Sequence, residues 1–280
     1  MSSARHIQVA VVAALLITAF WPILTNMYGS WFDERSSMEH GILVIPAAAY
    51  MVWMKRAKLA QISIQPSVWG VLLMFCAAAQ ATLGIIASWA WVARTAFLFS
   101  LVGFILAVYG VRMVRELATP LCTLILMIAP PAFIYERLTL SLQLLASRLG
   151  ETCLEAAGYS VLREGNILEL VGIKLSIVEA CSGIRSLLSI IFMCTLYNFF
   201  FVSGNFTKAF ILLMAVPIAI LGNAGRIVAT GITGQYSPQL VHGAAHDAFG
   251  YISVVVAGIA CIMLHMVTLY IQKVWRLRHA

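Results

Sequence analysis

Three short polar stretches each sit at one end of a long apolar segment: Glu179-Ala-Cys-Ser-Gly-Ile-Arg185, Gly222-Asn-Ala-Gly-Arg226 and His242-Gly-Ala-Ala-His-Asp247. Between them they supply a thiol, a guanidinium and an imidazole. Brought together at a membrane surface, these groups could cleave an amide bond. The thiol would attack the carbonyl, the guanidinium would hold the oxyanion, and the imidazole would move the proton.

Each group has a plainer reading when taken singly. A lone cysteine at the top of a membrane helix is more often inert. Cys181, however, is followed by Ser182-Gly183 and an apolar run from Ile184, which places it near a helix N-terminus. Unpaired amides and the helix dipole there favour thiolate, and Arg185, one turn on, adds positive charge. Arg226 lies eighteen residues after Lys208, where the seventh apolar segment begins. At the helical rise this is about 27 Å, near the far edge of the hydrocarbon. It could anchor the helix by snorkelling. Asn223 and Arg226 share a face, and Gly222 and Gly225 leave room for another backbone, which instead suggests a site. His246 is flanked by Asp247 and precedes Gly250 by one turn. Either His246 or His242 could serve as acid or base. His265 lies inside the last apolar segment and His279 in a basic tail, so neither can join the others.

The elements that must position these groups are membrane helices. The 280 residues are 62% hydrophobic and 10% charged, far from the roughly 25% charged of soluble domains. Apolar segments over 9–27, 41–54, 67–87, 92–111, 118–134, 183–203, 208–233 and 247–271 predict an all-α polytopic protein of about eight transmembrane helices in a single domain, 1–280. The first is too long for a signal-peptide core and lacks a cleavage site, so it is read as retained. Pro130-Pro131 should break or end the fifth.

Alternate segment ends divide the charges. One set holds ten of the eighteen Lys and Arg residues with one acid, Glu116; the other holds eight with ten acids. The positive-inside rule then places both termini in the cytoplasm and the three polar stretches on the outer face of a cytoplasmic (inner) membrane. The formal net charge of +7 is thus a topology signal, and no nucleic-acid partner is expected. Membrane lipids are an expected partner.

One long insertion, about 135–180, interrupts the spans. Its first half has helical spacing suited to an interfacial helix. Its second half alternates, with Gly165-Asn166 between runs, and predicts a β-hairpin or three short strands leading into Cys181. Cys76, Cys122, Cys194 and Cys261 fall inside apolar spans and read as small buried hydrophobes. A Cys153–Cys181 bridge is a possibility on an oxidising face and would disable the thiol. No Cys or His spacing suits a metal, and no cofactor is expected.

Glu179-Ala-Cys-Ser-Gly-Ile-Arg-Ser-Leu187, Asn223-Ala-Gly-Arg-Ile227 and His246-Asp-Ala-Phe-Gly250 resemble the three signature blocks of the exosortase/archaeosortase family, in its bacterial form. So do Leu144-Leu-Ala-Ser147 with Val161-Leu-Arg-Glu-Gly-Asn166, and Trp31-Phe-Asp-Glu34 with His40-Gly-Ile-Leu-Val-Ile-Pro46, so that the resemblance runs from about 31 to 255. It implies a membrane-embedded cysteine transpeptidase acting on exported proteins with a C-terminal sorting tail: a Pro-Glu-Pro-like motif, a transmembrane helix and a basic cluster. It implies Cys181 as nucleophile, Arg226 as oxyanion stabiliser and His246 as acid, with Arg185 and Asn223 positioning cysteine or substrate. Arg35, Glu39 and His40 become candidates for a substrate mouth, and a cell-surface, exopolysaccharide-associated acceptor becomes a candidate recipient. Two other readings stand beside this one: a polytopic transporter, and a protease whose thioester is resolved by water alone.

Overall fold

The computed structural model describes the backbone at residues 3–33, 38–177, 183–237 and 244–279, and the side chains there except at 3–6, 244–247, 276 and 279. It forms two compact units, Met1–Pro131 and Ala132–Ala280.

In the first unit, helices α1 (Ser3–Ala19) and α2 (Trp21–Trp31) divide one apolar segment, with a bend of 62° between them. Pro22 sits in the first turn of α2, where a missing N–H breaks no helical bond. Helix α3 (Gly41–Met54) is followed by the short α4 (Arg56–Ala60), then α5 (Val68–Ile86) and α6 (Ala90–Tyr109). Two short helices, α7 (Val111–Glu116) and α8 (Ala118–Thr123), lead into a 3-10 turn at Leu124–Met127. The helical run expected over 118–134 stops there, ahead of Pro130-Pro131.

The tightest packing in this unit is between α5 and α6. Gly70, Ala77, Ala81 and Gly84 form a buried stripe of small residues on α5, facing Ala93, Ala96, Ser100 and Gly103 on α6. Gln80 Nε2 donates across the pair to the Val92 carbonyl at 2.9 Å and to Thr95 Oγ1 at 3.0 Å. Lipid is as apolar as leucine, so close van der Waals contact and interhelical hydrogen bonds must hold such a pair.

Helix α3 is tied at both ends. At its start, Trp31 Nε1 donates to the Met127 carbonyl at 2.9 Å and His40 Nε2 to the Leu126 carbonyl at 3.1 Å, while Gly41 packs on the Trp31 indole. The buried His40 ring therefore has a structural partner, and its burial lowers its pKa. Arg35 lies outside the described residues. At the other end, Lys55 and Lys58 reach the Glu116 carboxylate at 3.1 and 2.8 Å. Those ammonium groups, Lys58 first, hold its pKa below the ordinary carboxylate range.

The second unit opens with the expected long helix, α9 (Ala132–Ala156), and three strands, β1 (Val161–Glu164), β2 (Ile167–Leu170) and β3 (Ile173–Ser176). The strands form an antiparallel meander in the order β1-β2-β3, with Val161 opposite Leu170 and Ile167 opposite Ser176. Leu168, Leu170, Leu175 and Ile177 point to one side and build a core with Ala146 and Leu154 of α9. Helices α10 (Ile184–Phe201), α11 (Asn205–Tyr236) and α12 (Ala244–His279) complete the unit. Ile227 of α11 joins the core under the sheet, and a second core forms among α10, α11 and α12 around Ile190, Ile211, Ala215, Ala219 and Ala257.

Five of the described helices are long and apolar enough to cross a membrane, and as many as seven spans result if each bent pair is one span. The chain is thus an all-helical membrane protein with one small sheet. The remaining expected span, over 41–54, is α3. Its 14 residues rise about 21 Å, short of a hydrocarbon core of about 30 Å. The cysteines divide differently from expectation. Cys194 and Cys261 are buried against each other, Sγ to Sγ 3.1 Å, but Cys76 and Cys122 lie on the exposed surface. Apolar spans face lipid as well as core, so an apolar setting in sequence does not imply burial in the bundle.

A Cβ on Gly70 would overlap the Ala107 backbone nitrogen and stand 2.5 Å from the Gly103 carbonyl oxygen. Gly70→Leu must therefore separate α5 from α6. It is expected to destabilise the purified protein by about 1–3 kcal/mol, read as a lower midpoint of thermal unfolding in detergent, whereas Val71→Leu on the exposed face should leave the midpoint unchanged.

Candidate active site

The path into the cysteine block is held by polar contacts from α9 and the sheet. Asn166 sits at the β1–β2 turn, where its carbonyl accepts from the Ile177 N–H at 2.9 Å and its side-chain Nδ2 donates to the Ile177 carbonyl at 3.0 Å. Both backbone groups of Ile177, the last described residue before the block, are thereby fixed. Ser147 Oγ of α9 donates to the Gly165 carbonyl at 2.9 Å, and Arg163 Nε meets Glu151 Oε2 at 2.6 Å. The upstream residues Ser147, Arg163, Gly165 and Asn166 thus clamp the strand exit to α9. Their spacing in sequence, split between a helix and a hairpin, gave no sign of this shared role.

Gly183, within the block, caps α10 with φ of 86° and ψ of −4°, a left-handed conformation in which a side chain is strained. Its α-carbon faces Asn223 so closely that an added Cβ would lie 3.0 Å from the amide Cγ and Nδ2. Asn223 is 2% exposed. A cavity of about 10 Å³ beside the pair, lined among others by Leu142, Leu187 and Ala219, has room for about one water. Arg185, in the first turn of α10, is partly buried.

Arg226 lies one turn beyond Asn223 on α11 and is only 8% exposed. It is 21 residues from Asn205, about 32 Å along the helix. So little exposure is unlike a side chain extended into water, as snorkelling would require. The guanidinium lies against Gly250 of α12, where a Cβ would stand 3.4 Å from Cζ and 3.6 Å from each terminal nitrogen. The same two helices meet again at Gly222, whose Cβ position is 3.6 Å from the Ser253 carbonyl. That distance would admit a Cβ as well, and Gly225 faces open space, so neither glycine is required here for a close backbone approach.

The structure accordingly brings together described residues from or beside all three polar stretches. Gly183 of the first touches Asn223 of the second, and Arg226 of the second touches Gly250, one turn past the third. His246 belongs to the first turn of α12, its side chain undescribed; Cys181 and His242 lie outside the described residues. Cys153 is exposed on α9. His265 is occupied elsewhere, its Nδ1 2.8 Å from the Tyr197 hydroxyl. Among the described residues no group of His, Cys, Asp and Glu could hold a metal ion.

A family model described as transmembrane exosortase matches residues 31–265. The chain belongs to the transmembrane exosortase family. No curated protein and no solved structure matches it. The matched region takes in α3, the strand clamp, Gly183, Asn223, Arg226 and Gly250, so every contact described above between the signature blocks lies within the exosortase region.

Two glycines in that region separate conformational need from mere smallness. Gly183→Ala places a Cβ in a left-handed residue against Asn223, and should cost about 1–3 kcal/mol. Gly222→Ala meets only an ordinary van der Waals contact inside a helix, where alanine is the better helix former, and should be neutral or stabilising. Thermal unfolding midpoints of the two variants in detergent would fall on opposite sides of, or at, the wild-type value as stated.

Proposed function

We propose that this exosortase is a cysteine transpeptidase that cleaves the C-terminal sorting tail of exported proteins at the outer membrane face and passes the product to a cell-surface acceptor. The observation that carries the reading is the pairing of Gly183 with Asn223 and of Arg226 with Gly250. Only two peptide bonds separate Cys181 from Gly183, so their α-carbons are at most about 7 Å apart. His246 precedes Gly250 by one helical turn. These links support a reading in which a thiol, a buried guanidinium and an imidazole serve one site.

In the proposed reaction His246 takes the Cys181 thiol proton, and the thiolate attacks the scissile carbonyl carbon. A C–S bond forms and the carbonyl electrons move to oxygen, where Arg226 opposes the charge. Collapse breaks the C–N bond, and His246 returns the proton to the departing amine. The thioester is then attacked by a nucleophile on the acceptor, whose proton passes to His246 as the Cys181 thiolate leaves. Arg185 and Asn223 position the cysteine loop and the substrate. Attack by water would give hydrolysis from the same acyl-enzyme.

The test is processing of a co-expressed tailed substrate, with membrane abundance of each variant checked by blot. Cys181→Ala should abolish cleavage. Arg226→Ala should slow it by about 10²–10³, the usual effect of losing an oxyanion donor, and His246→Ala should also abolish it while His242→Ala stays active. Continued cleavage by Cys181→Ala at normal abundance would refute the thiol mechanism. Release of free acid alone from a trapped acyl-enzyme, with every candidate acceptor supplied, would reduce the activity to hydrolysis.

A further inference from the structure

The first unit contains a second buried guanidinium that the proposed reaction does not use. A pocket of about 330 Å³ is lined by residues of α2, the α5 end and the start of α6, among them Ile23, Asn26, Ile85, Ser88, Ala90 and Arg94. Arg94 is only 9% exposed. Its Nη2 donates to Asn26 Oδ1 at 2.9 Å, while its buried Nε has no partner among the described residues. Among the described residues no carboxylate pairs with it. A buried cation with one neutral partner is costly, and a bound anion would offset that cost.

Two independent features favour an anion in this pocket. Ala90 on its wall is the first residue of the 20-residue helix α6, and the preceding Trp89 contributes no side-chain cap. The first amides of such a helix point outward without intrahelical partners, at the positive end of its dipole. The exposed indoles of Trp21, Trp89 and Trp91 flank the same helix ends, as expected of the aromatic belt at the membrane–water interface. At that depth the abundant anion is a phosphodiester. Pro22, Ile23 and Ile85 would line the glycerol and first acyl carbons, while the guanidinium fork matches phosphate oxygens.

We propose that the Arg94–Asn26 pocket binds a phosphate oxyanion, with Arg94 and the α6 N-terminus as its donors and Asn26 orienting the guanidinium. A phospholipid headgroup and free phosphate share this chemistry. The full chain, purified in detergent, is therefore heated with added phosphatidylglycerol, with diacylglycerol lacking the phosphate, or with inorganic phosphate against chloride at equal ionic strength. Retained lipid is counted in parallel by native mass spectrometry.

The wild type should be stabilised by phosphatidylglycerol or by inorganic phosphate but not by diacylglycerol, and the responding arm identifies the source. Arg94→Met should bind that probe about tenfold more weakly, the effect of losing charge-assisted hydrogen bonds. Asn26→Asp guards against a folding defect. It puts a carboxylate 2.9 Å from the guanidinium, so it should hold the unliganded protein at or above wild-type stability while abolishing the response to the probe. Equal binding by wild type and Asn26→Asp, or no response of the wild type to either phosphate source, would overturn the proposal. Tail processing is not part of this readout, so the reaction proposed above can fail without affecting it.

Discussion

Helices in hydrocarbon gain little by hiding leucine from leucine, so what holds them is how closely their backbones can approach and which polar groups they can satisfy on the way. That constraint runs through both units of this exosortase. In the first, Gly70, Gly84 and Gly103 let α5 and α6 touch through backbone atoms. In the second, Gly258 of α12 leaves space for the Met193 side chain of α10, and Gly222 of α11 faces the Ser253 carbonyl of α12 at ordinary contact distance. The signature residues use the same device. Gly183 has no side chain where Asn223 needs space, and Gly250 lies against the Arg226 guanidinium.

The sheet works by the other rule. Leu168, Leu170, Leu175 and Ile177 with Ala146, Leu154 and Ile227 make a small core of the soluble kind, held by removal of apolar surface from water. Its effect on the membrane part is positional. Helix α11 is 32 residues long, about 48 Å, so it outruns a hydrocarbon layer of about 30 Å. Ile227 and Gly231, just past Arg226, pack against the sheet side and α9. One helix therefore joins a lipid-type interface to a water-type core, with Asn223 and Arg226 at the join. The sheet's exit, fixed by Asn166 on Ile177, delivers the chain to the same level.

Much of this could be read from sequence because periodicity records burial. The alternation of Val161–Glu164 and Ile167–Leu170 about Gly165-Asn166 gave the hairpin, and the proline pair gave the end of the helix before it. What failed to show had non-local causes. Hydropathy cannot distinguish lipid from core, so Cys76 and Cys194 look alike although one is exposed and the other buried. A break such as that after Ala19 leaves hydropathy unchanged, because Phe20 and Trp21 are as apolar as their neighbours. Of the site, the residue types and the shared faces were legible, including Asn223 beside Arg226. The part played by Ser147 and Asn166 was not, since each acts on a main-chain carbonyl far away in sequence.

Arg94 and Arg226 sharpen the point. Both are arginines near the end of a long apolar helix, and sequence offers each the inexpensive option of snorkelling to water. Both are instead largely buried, at 9% and 8% exposure. A guanidinium cannot discharge itself by losing its proton at any pH the cell meets, so enclosing one commits the fold to finding opposing negative charge. Arg226 has interactions of its own in the resting fold, and the proposed reaction adds an oxyanion that exists only during turnover. For Arg94, beside the static end of a helix and a pocket already open, the charge must come from a resident ligand. The two buried cations thus differ in what surrounds each: Arg226 lies against Gly250 of α12, whereas Arg94 borders a pocket of about 330 Å³.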